Sequence, residues 1–275
     1  MTGVLTRRRF GGLAAAAALA TPTLLRAQGL TTLTLPEPLP DGVECDFLAL
    51  SLADGQRWQL EGSRTDRRVA PYSTFKIPHT LIGLREGAIT GLDHMRSRNP
   101  DHDRARPGWP ESWLEDHDLA SAFQNSVIWY FTQISREVPR SAYRRAMRDF
   151  DYGNADAGFA NNRFWIDGTL QLSLTEQLAF LARLTAGYLD VPEEHLAILD
   201  EISVDGQVAG RPLHGKTGLG ERFRGGGAGG WYVGWAGARP APLVFALYCE
   251  GPDFDSIRDL RRSTALSLVE QALSE

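Results

Sequence analysis

Strand-like segments stand at both ends of this 275-residue chain and helix-like segments fill the space between them, an order that few folds accommodate. Early in the chain, two apolar runs at about 45–53 and 56–61 flank Asp54-Gly55, the local signature of a hairpin. Three more strand-like runs come late, near 210–218, 230–237 and 242–250, followed by a helix expected from about 256 to 273. In the middle, Ser173-Leu174-Thr175-Glu176 reads as a capping box opening an amphipathic helix through Leu178, Leu181 and Leu184, and Pro139 suits a first helical position. Residues 93–118, rich in Asp, His, Arg and Pro, predict an irregular ordered segment. The order implies a mixed α+β chain: an antiparallel five-stranded sheet flanked by helices, its two halves separated in sequence by a helical insertion at about 90–203.

Thr6-Arg7-Arg8-Arg9-Phe10 precedes an Ala-rich apolar run that ends near Leu25, with a small-residue step at Leu25-Arg26-Ala27. This resembles a twin-arginine export signal, so residues 1–27 are expected to be a cleavable signal peptide and residues 28–275 a single domain in the periplasm or outside the cell. No other segment approaches spanning length, and no stable membrane span is expected. A formal net charge of −5, with short Arg runs mixed among acids, provides no basic surface for nucleic acid. Two cysteines, Cys45 and Cys249, are too few for a disulfide framework or a zinc site. Each lies in an apolar run, and in an oxidising compartment they form a disulfide if those strands are neighbours, or stay two separate buried thiols if they are not. The six histidines show neither the spacing of a metal site nor a triad partner for a serine, so no metal is expected.

The chemistry is concentrated in short motifs. In Ser73-Thr74-Phe75-Lys76 a hydroxyl and an amine stand three residues apart at a helix start, on one face, where the amine can take the proton that makes serine a nucleophile. Lys216-Thr217-Gly218 ends a strand-like run in which Gly215 and Gly218 permit close approach of a ligand, while Lys and Thr offer donors to an anion. Ser126 opens a helical stretch between them, followed by the apolar Val127 and Ile128.

A Ser-x-x-Lys helix start, a middle serine and a Lys-Thr-Gly strand, in that order, are shared by serine β-lactamases and penicillin-binding proteins. With Pro71-Tyr72-Ser73-Thr74-Phe75-Lys76-Ile77-Pro78, Ser126-Val127-Ile128-Trp129, Tyr152-Gly153-Asn154, Phe164-Trp165-Ile166, Lys216-Thr217-Gly218 and Gly230-Trp231-Tyr232-Val233-Gly234-Trp235, the chain resembles class D, oxacillinase-type, serine β-lactamases over about residues 45–270. The resemblance implies the serine β-lactamase and penicillin-binding transpeptidase-like fold, a β-lactam as small-molecule substrate, and a role in antibiotic resistance. It implies Ser73 as nucleophile and Lys76 as base, carboxylated by carbon dioxide or bicarbonate to N6-carboxylysine, with no other cofactor. Phe75, Val127, Ile128 and Trp165 would form the apolar pocket that lowers the lysine pKa, with the Trp165 indole N–H donating to the carbamate. Ser126 would relay a proton to the lactam nitrogen with support from Lys216, and the backbone N–H groups of Ser73 and Leu219, just past Gly218, would form an oxyanion hole. Thr217 and Arg258 would bind the substrate carboxylate. Tyr152 and Asn154 are expected to shape the wall, and His214 to be an ordinary strand residue. Ile128 departs from the usual Val by one methylene. A β-lactam sensor domain shares these motifs but is tethered to membrane-spanning segments, and a peptidase of this fold would carry Asn where Ile128 stands.

Overall fold

The computed structural model describes residues 29–274 apart from 106, 159–161, 223 and 224, so the expected signal peptide at 1–27 lies outside the described residues. The strands are β1 (Leu30–Leu33), β2 (Glu44–Ser51), β3 (Arg57–Leu60), β4 (Val204–Val208), β5 (Arg211–Glu221), β6 (Ala228–Ala236) and β7 (Leu243–Gly251). The helices are α1 (Lys76–Arg85), α2 (Leu119–Gln124), α3 (Ile128–Glu137), α4 (Arg140–Asp149), α5 (Leu174–Thr185), α6 (Glu193–Ile202), α7 (Phe254–Arg258) and α8 (Leu260–Ser274). One sheet holds the strands in the order β1-β3-β2-β7-β6-β5-β4. Every neighbouring pair is antiparallel except β1 and β3, which run parallel.

The sheet therefore has seven strands where five were expected, and the two additions are its edges. In β1 only Leu33 is buried and in β4 only Val208, while Val204 is 57% exposed and Asp205-Gly206 resembles a turn. An edge strand that buries one side chain leaves no alternation to read. Pro139 sits one position ahead of α4, as its N-cap, rather than inside the helix.

The central strands β6 and β7 bury both faces, and their side chains sort by parity. On β7, Leu243, Phe245, Leu247 and Cys249 join one core with Ala265, Leu268, Val269 and Ala272 of α8, whereas Val244, Ala246 and Tyr248 face the helical side. On β6, Trp231, Val233 and Trp235 share that helical side, against the core built by α1 to α6. The capping box forms as read, Ser173 Oγ accepting from Glu176 N–H at 3.2 Å and Glu176 Oε2 accepting from Ser173 N–H at 2.9 Å, and α5 buries Leu178, Leu181 and Leu184.

The chain's two ends meet at the sheet centre. Cys45 stands opposite Cys249 across β2 and β7, and the two form a disulfide between residues 204 apart in sequence.

Candidate active site

Ser73 does not lie in α1 but in a short 3-10 turn, Tyr72–Phe75, that leads into it, and Lys76 is the first residue of the helix. Pro78, third in α1, falls where backbone N–H groups have no intrahelical acceptor, so it costs the helix nothing there. The turn and helix put Lys76 Nζ 2.9 Å from Ser73 Oγ, hydrogen-bonded to it.

The backbone ahead of the nucleophile is strained. Tyr72 has φ of 49°, the left-handed region that a side chain disfavours by about 1 kcal/mol or more. Two bonds hold it there: Tyr72 N–H donates to Trp165 O at 2.9 Å, and Tyr72 Oη donates to Glu221 O at 2.8 Å. Its ring lies over β5 at Gly220, where a Cβ would come within 2.3 Å of it. Gly218 does the same for the turn itself, since a Cβ there would stand 2.9 Å from Pro71 O and 3.2 Å from Ser73 N. These two glycines let β5 lie directly against the nucleophile turn, bringing Lys216, Thr217, Gly218 and Leu219 to the site. Ser126, between α2 and α3, is likewise left-handed at φ 58° and half-buried.

Both lysines are stripped of water. Lys76 is fully buried, with Nζ 5.1 Å from the centre of the Phe131 ring. Burial first, and the Lys216 charge second, hold its amine well below the ordinary lysine range. Lys216, at 5% exposure, lies with Nζ 5.7 Å from the Phe123 ring and donates to Thr217 O at 3.3 Å. Burial pushes its amine down to about 7, aided by the Arg261 charge and opposed by Asp205. A serine beside a lysine whose amine burial drives toward the neutral form is an activated nucleophile.

Around this pair the walls are apolar. Val127 and Phe75 are fully buried, and Ile128 is half-buried as the first residue of α3. Trp165 stacks on Phe75, centroids 5.8 Å apart, and its Nε1–H is buried with no partner among the described residues. A donor orphaned in an apolar wall is the feature that an added carboxyl group on Lys76 would satisfy, so the residues present fit lysine carboxylation.

Arg258 does not join the cluster. It ends α7 with a side chain 55% exposed and pairs with Asp255 Oδ1 at 3.4 Å. Arg261, in the first turn of α8, is buried instead, its Cδ fitting where Gly230 has no Cβ and beside the Leu219 side chain. Its Nη1 is held by the carbonyls of Ile257 and Arg258, while Nε has no partner among the described residues. Helix spacing alone could not choose among Arg258, Arg261 and Arg262; the helix is interrupted at Asp259, and Arg261 is the one buried against Gly230 of β6.

The landmarks prove architectural. Tyr152 Oη donates to Gln177 Oε1 at 3.1 Å and its ring packs 5.8 Å from Phe75, while Asn154 bonds to Thr169 O and to the N–H groups of Gln171 and Asp156. His214 stacks on Trp235 at 4.9 Å. Sequence reading missed Phe131 and His79, although His79 stands three residues beyond Lys76 and so on the same helix face.

Residues 50–267 match the penicillin binding protein transpeptidase domain. The chain is 34% identical over 198 residues to Beta-lactamase OXA-3 of Pseudomonas aeruginosa, covering 69% of this chain and 65%, just under two thirds, of that relative. It is 34% identical over 203 residues to Beta-lactamase OXA-2 of Salmonella typhimurium, covering 73% of this chain and 69% of that one. Regulatory protein BlaR1 of Bacillus licheniformis is 30% identical over 209 residues, 75% of this chain but 32% of its own length. Among solved structures, FUS-1 (OXA-85), a class D β-lactamase from Fusobacterium nucleatum subsp. polymorphum, superposes with a TM-score of 0.73 at 25% identity, covering 84% of this chain and 92% of that one.

Proposed function

The chain belongs to the class D serine β-lactamases, and from that membership we propose that it hydrolyses the β-lactam amide through an acyl-enzyme on Ser73. The observation that carries the reading is the 2.9 Å contact between Ser73 Oγ and a fully buried lysine, whose amine that burial drives toward the neutral form.

A neutral Lys76 can accept the Ser73 proton as Oγ bonds to the lactam carbonyl carbon. The backbone N–H groups of Ser73 and Leu219 stabilise the oxyanion, and the tight seating of Gly218 against the turn supports that pairing. As the C–N bond opens, Ser126 passes a proton to the leaving nitrogen, with Lys216 supplying charge when protonated. Thr217 and Arg261 bind the substrate carboxylate, Arg261 in place of Arg258 because it is the arginine beside β5 and β6. The neutral amine is also the form of Lys76 that reacts with carbon dioxide. Phe75, Val127, Ile128 and Trp165 fit the product, Trp165 through its free N–H. Carboxylation would give Lys76 an anionic oxygen that is unprotonated at neutral pH and can take a proton from Ser73 in acylation and from water in deacylation. Export through the leader at 1–27 would put the enzyme in the periplasm or outside the cell, where β-lactams act, in keeping with antibiotic resistance.

Nitrocefin hydrolysis tests the reading. Wild-type protein is expected to turn over many equivalents, faster with added bicarbonate, and Lys76→Ala to lose that turnover. Rapid multiple turnover by Lys76→Ala would refute the mechanism. The similarity to BlaR1 supports a second reading, acylation without turnover. A single equivalent of product, with a persistent adduct on Ser73 by mass spectrometry, is its signature.

A further inference from the structure

One buried titratable pair stands next to the site with no part in the scheme above. His79 lies one turn beyond Lys76 on α1 and is fully buried. Its Nε2 is 2.6 Å from Tyr143 Oη of α4. The imidazole touches the rings that enclose the Lys76 amine. It meets Trp165 edge-on, at 5.0 Å and 67°, and packs 5.3 Å from both Phe75 and Phe131. Phe131 is the ring that Lys76 Nζ faces, and Trp165 carries the unpartnered indole N–H. Tyr143 completes the group by packing edge-on against Phe164 at 5.2 Å, next in sequence to Trp165.

In an enclosure otherwise built from aromatic rings, an imidazole is an expensive choice. His79 Nδ1 has no partner among the described residues, and a phenylalanine in its place would orphan the buried Tyr143 hydroxyl, so the histidine is kept for the bond its other nitrogen makes. Burial above all keeps the ring neutral, so it adds no cation beside the lysine. What the hydrogen bond to Tyr143 does provide is direction. It fixes the plane of the imidazole, and the edge of that plane is what Trp165 rests on.

We infer that His79 and Tyr143 are positioning residues that hold the Trp165 indole in place and thereby set how tightly Lys76 retains carbon dioxide. The inference rests on the carboxylated-lysine reading given above. The bond formed is between Lys76 Nζ and the carbon of carbon dioxide, with one amine proton released to solvent, and neither His79 nor Tyr143 exchanges atoms in it. Their effect is on the equilibrium, through the donor that Trp165 offers the new carboxylate.

Tyr143→Phe removes the hydroxyl and keeps the ring. Titration with carbon-13-labelled bicarbonate, following the carbamate resonance, should show the half-saturating concentration raised about two- to tenfold, the range for one lost hydrogen bond. Nitrocefin turnover should fall in low bicarbonate and recover at saturation. The double variant His79→Phe with Tyr143→Phe, which removes the bond and leaves neither partner orphaned, should shift the same midpoint in the same direction while the melting temperature holds or rises. A packing role alone predicts the opposite pattern: altered melting temperatures with the bicarbonate midpoint of wild type in both variants, and that result would overturn the inference. Wild-type protein with no carbamate resonance at any bicarbonate concentration would instead refute carboxylation itself, and this inference with it.

Discussion

Lys216 should make the protein more stable as the solution becomes more alkaline, and Lys216→Met should abolish that trend. In the folded state its amine is lowered to about 7 by burial, whereas a lysine in the unfolded chain titrates near ~10.4. Between those values the unfolded state binds a proton that the folded state does not, so unfolding free energy rises with pH at up to about 1.4 kcal/mol per unit. From pH ~7.5 to ~9.5 the contribution is about 2 kcal/mol once partial titration at both ends is allowed for. Lys216→Met carries no such term, and apart from Lys76, whose amine the Lys216 charge helps to lower, the other groups titrate alike in both proteins, so the difference between their stabilities is dominated by Lys216. Urea unfolding at several pH values across that window should show the variant ahead at the acid end by a margin that shrinks by about 2 kcal/mol toward the alkaline end. The window must stop near pH ~10, because Tyr72, raised to about 12, then contributes with the opposite sign as its unfolded form ionises first. Parallel stability curves would show that Lys216 keeps its proton in the folded site, and its proposed neutral state would be wrong.

Gly218→Ala should slow acylation by about 100-fold and destabilise by about 1–3 kcal/mol, since the new methyl meets backbone at Pro71 and Ser73 that cannot swing aside; burst kinetics and thermal melting measure the two effects. Arg261→Ala should raise KM for carboxylate-bearing β-lactams about tenfold or more, while Arg258→Ala stays within about twofold. Reducing the Cys45–Cys249 disulfide, which closes a segment of 204 residues, should cost about 3–5 kcal/mol, read as a lower urea midpoint in reducing buffer.

What could be read from the sequence follows from what each element buries. The inner strands β2, β6 and β7 announce themselves because they carry dense apolar runs, β5 because it holds the Lys216-Thr217-Gly218 motif, and β3 because it completes a hairpin across Asp54-Gly55. The edges β1 and β4 hide because their backbone pairing, and not their side chains, ties them to the sheet. In the site, Ser73 and Lys76 are local in sequence and Lys216-Thr217-Gly218 is a contiguous motif, so pattern suffices. The apolar enclosure was only half visible. Phe75 and Trp165 lie within motifs, but Phe131 on α3 and Tyr143 on α4 reach Lys76 and His79 only through helix packing. Arg261 was obscured for a similar reason, since its burial depends on packing against Gly230 of β6, distant in sequence.

The central pairing of β2 with β7 also bears on when the molecule can acquire activity at all. The nucleophile turn belongs to the first third of the chain, yet the strand that supports it, β5, is joined to β2 only through β6 and β7. A nascent chain that has made Ser73 and Lys76 has a serine and a lysine but no sheet to press them together. The pairing that completes the sheet closes a span of 204 residues, which places its formation late and makes folding slow compared with a protein of local contacts. Reactivity toward an acylating substrate should thus emerge as a single late event during refolding, in step with the β2–β7 contact rather than with the helices.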